Sequence, residues 1–133
     1  MEAAERDRFD ELVAEAIDEL PPALLQLLEE VPVVVLDVPD AEMCRSLGMD
    51  ASESAELCGL HTGVAETERS VEQHAELPSQ IHLFRVGILA QAGGWEQADA
   101  DDRVYEEIMV TLLHEIGHQF GLDEDQLRDL GYD

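Results

Sequence analysis

Two histidines four residues apart, with a glutamate between them, stand near the C-terminal end of this chain: His114-Glu115-Ile116-Gly117-His118. On a helix, residues i and i+4 share a face, so both imidazoles can close on one metal ion. Glu115, about 100° round the helix from His114, can then act as general base toward a water activated at that metal. A third donor cannot come from the same helix continued. Six residues past His118 it would sit about 9 Å further along the axis, against a zinc–ligand bond of about 2 Å. The helix has to break, and Gly121 is free to take the left-handed conformation that ends one. Glu124 then arrives from the far side of the turn. Two imidazoles, one carboxylate and one open position suit a single tetrahedral zinc ion. Glu124 has acidic neighbours, Asp123 and Asp125. Asp123, with Gln126 three residues on, also has the pattern of an N-cap, which would put Glu124 in the first turn of a last helix. The third ligand is therefore open among these acids, with Glu124 in the favoured register.

The spacing resembles that of the zincin metallopeptidases, whose active-site helix carries H-E-x-x-H-x-x-G with the third ligand three residues past the glycine. That ligand is a histidine in metzincins and an aspartate in Asp-zincins; here the position holds Glu124. The shortness of the chain narrows the resemblance to the mini-zincins, small bacterial proteins with a zincin-like fold and little else. The segment VTLLHEIGHQFGLDEDQLRDLGY carries it, together with GLHTGVAETERS (Gly59–Ser70) upstream and the strand-like QIHLFRVGIL. It covers roughly the last two-thirds of the chain. No metzincin Met-turn follows the motif, since Met1, Met43, Met49 and Met109 all precede it. The resemblance would place Tyr132 under the site instead. It also implies that a peptide substrate lies extended along an edge strand above the helix, with the strand holding Ile81–Val86 as the candidate.

The motif helix is expected from about Asp102 to Phe120. At 100° per residue, Tyr105, Ile108, Met109, Leu112, Leu113, Ile116 and Phe120 fall on one broad arc. Glu107, Thr111, His114 and His118 fall within about 60° of each other on the opposite side. The proposed ligands thus lie on the face turned away from the core, and Glu107 could partner a ligand imidazole. Gly117 in mid-helix costs about 1 kcal/mol relative to alanine. Close approach of a neighbouring backbone is the natural reason for it.

The rest of the chain bounds what such a site can serve. At 133 residues it reads as one domain, residues 1–133, with a single core. Thirty-two Asp and Glu against seven basic residues give a formal charge of −25. Such a surface repels phosphate backbones and anionic lipid, which disfavours nucleic acid and membrane partners. No basic region followed by an apolar run opens the chain, and no apolar stretch approaches the roughly 20 residues of a membrane span. The expected location is the cytoplasm, with Cys44 and Cys58 as reduced, partly buried thiols. A peptide or protein is the expected partner, and a homodimer is compatible with the sequence.

Elements follow from periodicity. Phe9, Leu12, Val13, Ala16, Ile17 and Leu20 predict an amphipathic helix over about residues 4–19, stopped by Pro21-Pro22, with a short helix through Ala23–Glu29. Val31–Val38 reads as a buried strand. Asp40–Gly48 suggests one or two helical turns, Met49–Glu56 a loop, Cys58–Val64 a second strand and Ala65–Ser79 a long polar loop. Gln80–Val86 alternates well enough for a third strand, with a short helix starting at Gly87–Ala92. His61, His74 and His82 lack partners at ligand spacing and read as structural or surface histidines. Trp95, after two glycines, reads as a plug or a rim residue.

The expected fold is α+β: N-terminal helices, a small mixed sheet packed on the motif helix, and a short C-terminal helix. The expected chemistry is zinc-dependent peptide hydrolysis, with Glu115 as base and His114, His118 and Glu124 as ligands. The alternative is a metal-binding or interaction scaffold that keeps the fold without cleaving peptides.

Overall fold

The computed structural model describes residues 1–62 and 79–129. Its longest element is α6 (Ala100–Phe120), and the other elements are arranged around it. They run α1 (Ala3–Asp18), α2 (Pro22–Leu27), β1 (Val33–Leu36), α3 (Ala41–Leu47), α4 (Ala51–Ser54), β2 (Gly59–Thr62), β3 (Gln80–Phe84) and α5 (Arg85–Ala92), with α7 (Glu124–Asp129) after α6. This is the α+β arrangement expected.

The sheet has three strands in the order β1-β3-β2, with β1 parallel and β2 antiparallel to β3. The strand holding Ile81 is therefore central. The expectation that it forms an edge is wrong, and among the described residues the outer strand beside α6 is β2. Side chains alternate across a sheet. Ile81 and Leu83, with their partners His61 and Gly59, face α6, while His82 and Gln80, with Leu60 and Thr62, face away. The strand also stops two residues early. Phe84 caps α5, and Arg85 begins it.

The core lies between this sheet, α1 and α6. Phe9, Val13 and Ala16 of α1 meet Val104, Ile108, Leu112 and Ile116 of α6, with Ile81 and Leu83 closing the sheet side. Each large apolar side chain buried here contributes about 1.5–3 kcal/mol. Of the periodic residues, Phe9, Leu12, Val13, Ala16 and Leu20 are buried as expected, and Ile17 is half-buried against the core. Thr111 is a correction: it was assigned to the exposed arc, but it is buried, because β2 packs on that side of α6. The segment Met49–Glu56 is a second one. It contains α4, closed by a capping box in which Asp50 accepts from the Glu53 backbone and Glu53 accepts from that of Asp50. Four residues are too few to show a helical period, but the D-x-x-E signature was present.

Three arginines away from α6's C-terminal half, Arg6, Arg8 and Arg85, are each paired with aspartate. Arg85 donates to Asp10 (2.9 Å) and Asp37 (2.9 Å), and Arg6 donates to Asp37 at 2.7 Å. The Arg6 hydrogen bond, with help from Arg85, holds the Asp37 carboxyl down at about 2 against the desolvation that opposes it. Burial first, then the hydrogen bond to Glu19 (2.6 Å), pushes Tyr105 up to about 12. Trp95 packs on the core with the Arg8 guanidinium 4.1 Å over its ring, so the plug reading holds. The two cysteines are unpaired, and burial, then the Glu107 charge, raises the Cys58 thiol. No helix among the described residues is long and apolar enough to cross a membrane.

Candidate functional site

Two close approaches build the site. At Gly117 an added Cβ would sit 2.9 Å from the Leu122 carbonyl oxygen. The chain passes Gly121 in the left-handed region (φ 65°) and folds straight back over α6, where the Leu122 N–H donates to the Gly117 carbonyl at 2.8 Å. Glycine at 117 is therefore required by a backbone, as its mid-helix position implied. At Gly59 an added Cβ would lie 2.7 Å from Thr111 Cγ2 and 3.1 Å from Glu115 Cγ. The missing side chain lets β2 come down onto α6, and two residues on it carries His61 to the glutamate of the motif.

His114 and His118 are exposed on one face of α6, with ring centroids 4.1 Å apart and planes at 61°. Glu115 is buried behind them, with 7 % of its surface exposed. Its carboxylate Oε1 lies 3.2 Å from His61 Nδ1 and 4.0 Å from His118 Nδ1. The His61 and His118 rings meet edge to face at 5.6 Å. Donor atoms of His61, Glu115 and His118 all fall within 4.8 Å of one another. His61 is the residue that sequence reasoning set aside. Its link to the motif crosses 54 residues and depends on strand register, for which no spacing rule exists.

The acids after the turn divide as the capping pattern suggested. Asp123 accepts from the Gln126 N–H at 2.8 Å, and the Gln126 side chain accepts from that of Asp123 at 2.9 Å. Glu124 stands in the first turn of α7, its side chain 90 % exposed and 3.9 Å from Arg128. It lines one groove with His114 and His118, walled by Leu113, Leu122 and Leu127. Asp125 pairs with Arg128 at 3.3 Å and is not part of that lining. Glu107 acts on the Cys58 thiol, while His82 is buried in the sheet. His74, Tyr132 and the loop expected at Ala65–Ser79, except Ser79 itself, lie outside the described residues, as do the last two residues of the expected Cys58–Val64 strand.

The donor chemistry fits zinc. Two neighbouring imidazoles open onto a groove that is also lined by the exposed Glu124 carboxylate, and both donor types are zinc ligands. Two donor sets share His118, however: His114, His118 and Glu124 around the groove, and His61, Glu115 and His118 behind it.

Comparison with curated proteins gives no match. A family model described as zincin-like metallopeptidase matches residues 28–132 of the 133, from the end of α2 through α7 and beyond, so that the sheet and both glycine-mediated approaches fall within it. The chain belongs to the zincin-like metallopeptidase family.

Proposed function

We propose that this protein is a zinc-dependent peptidase in which His114, His118 and Glu124 hold the metal and Glu115 is the general base. The observation that carries the reading is the placement of Glu115. It sits beside both ligand histidines yet off their shared face, with its carboxylate Oε1 3.2 Å from His61 Nδ1 and 4.0 Å from His118 Nδ1. Zinc, when bound, supplies Lewis acidity toward a scissile carbonyl and toward the attacking water. Glu115 takes a proton from that water as the new C–O bond forms. It then gives the proton to the amine nitrogen as the C–N bond breaks. His61 is a positioning residue for this step, because its ring fixes which way the Glu115 carboxylate points. The outer strand β2 is the substrate strand in this reading, offering backbone hydrogen bonds to an extended chain beside the base.

The cluster of His61, Glu115 and His118 favours a second reading. If Glu115 is itself a ligand, no free base remains and the protein is a metal-binding scaffold. Glu115→Gln separates the two. The first reading predicts that zinc is retained while cleavage of an unstructured protein substrate falls by about 10²–10⁴. Loss of zinc together with the carboxylate would establish the second.

A further inference from the structure

A cavity of about 240 Å³ lies on the face of the sheet opposite α6, between α3 and the outer strand β2. Its lining mixes aliphatic side chains and carboxylates with the neutral polar groups of Ser46, Thr62 and Gln80. Met43 and Leu47, four residues apart on α3, face Leu60 of β2 across the opening. No residue of α3 is buried, and Leu47 is 47 % exposed, so the apolar side of this helix is spent on the cavity rather than on the core. The rim carries two carboxylates at the start of α3, Asp40 and Glu42, both exposed. Asp40 keeps its place by accepting the Met43 N–H at 2.8 Å. Beneath lies His82, only 3 % exposed. Burial holds this ring toward its neutral form, and Nδ1 has no hydrogen-bond partner among the described residues.

The cavity is continuous with the strand that carries His61. A peptide extended along β2 would lie about 4.8 Å from it, and its side chains would alternate between the two faces of the sheet. Those on the His61 side would point toward Glu115. Their neighbours would point toward Leu60 and the cavity. A side chain entering there meets aliphatic groups, two exposed carboxylates and an unpartnered ring nitrogen, with no basic residue among the described residues of the lining. Glutamate would be repelled, and a purely aliphatic chain would leave the rim charges unanswered. A long aliphatic stem ending in a cation can answer both the aliphatic groups and the carboxylates.

We propose that the cavity between α3 and β2 takes a lysine or arginine side chain of an extended peptide lying along β2. This rests on the reading of β2 as the substrate strand and names the class of substrate it would select: chains with a basic residue at the position that faces the cavity.

The test uses zinc-loaded, full-length protein carrying Glu115→Gln, so that peptide is bound but not cut. Fluorescein-labelled octapeptides alternating threonine with lysine, norleucine or glutamate are titrated by anisotropy. Lysine should bind about tenfold tighter than norleucine, in line with two partly exposed ion pairs, and glutamate weakest. Adding Asp40→Asn with Glu42→Gln, which keeps the cap on α3, should bring the lysine and norleucine affinities within about twofold. Adding Glu29→Gln with Glu30→Gln instead, which removes two exposed acids outside the cavity, should leave the preference intact. Glu42→Arg alone should weaken lysine binding further, as a check independent of the cap. A lysine preference that survives the Asp40/Glu42 change, or that falls equally with the Glu29/Glu30 change, would overturn the proposal. If no peptide binds, the substrate-strand reading falls and takes the cavity with it. If lysine is preferred but the unsubstituted protein cuts nothing, the cavity stands and the peptidase reading fails.

Discussion

Two clusters of ionisable groups, one around Arg85 and one around Glu115, are built differently. Around Arg85 every charge is answered. Asp10, Asp37, Arg6 and Arg85 form a closed set of ion pairs, and Arg85 is only 12 % exposed at its side chain. Around Glu115 the set is open. Among the described residues, one buried carboxylate has a single histidine within hydrogen-bond distance, His61 at 3.2 Å, and His114 and His118 open onto a groove. A scaffold cluster lowers its energy by satisfying its own members. A functional cluster keeps donor capacity in reserve for something that is not part of the chain. The contrast makes a sharp demand: substitutions in the first should move stability without touching zinc or rate, and substitutions in the second should do the reverse.

Gly59 is where the demand is most severe, because it joins stability to the site. Gly59→Ala puts a Cβ against Thr111 and Glu115, and overpacking of this kind costs about 1–3 kcal/mol. It should also lift His61 off Glu115, so rate should fall even at temperatures where the variant is folded. A folded variant at full rate by single-turnover assay would show that the His61 contact is idle.

Asp37→Asn tests the closed cluster. It should cost about 1–3 kcal/mol in urea titration and leave zinc content unchanged. The pH dependence has a definite sign. Because the folded carboxyl titrates at about 2, below its ordinary 3.8, its contribution is fully present above about pH 5. It fades as pH falls through that window. The stability gap between native protein and variant should therefore close between about pH 5 and pH 2; a constant gap would mean that the Arg6 and Arg85 bonds do not set it.

Smaller effects should divide the acids after Gly121. Asp123→Ala removes an observed cap and should cost about 1 kcal/mol with zinc affinity mostly kept. Glu124→Ala should cost only a few tenths of a kcal/mol in the apo protein while lowering zinc affinity. Calorimetry and a chelator competition assay read the two quantities separately, and a reversed pattern would move the third ligand to Asp123.

What could be read from the sequence had a local cause. The i, i+4 histidines, the breaking glycine, the Asp123 cap and the periodic stripe of α1 each depend on neighbours a few residues away, and each is found as read. Gly117 was legible as a close approach, although not that Leu122 makes it. What escaped was non-local. The place of β3 in the middle of the sheet depends on which strands pair, and that fixes both which described strand lies outermost beside α6 and the burial of Thr111. His61 looked like one more histidine in a strand, because only the register Gly59↔Leu83, His61↔Ile81 turns it toward α6.

The measurement that bears most directly on the open cluster is zinc stoichiometry, by elemental analysis of the purified protein and its variants. The chain should carry about one zinc per molecule, removable by chelator, and His114→Ala or His118→Ala should each abolish it. His61→Ala should keep it. Zinc retained after His114→Ala but lost after His61→Ala would place the metal behind the helix, on His61, Glu115 and His118, and would contradict the account.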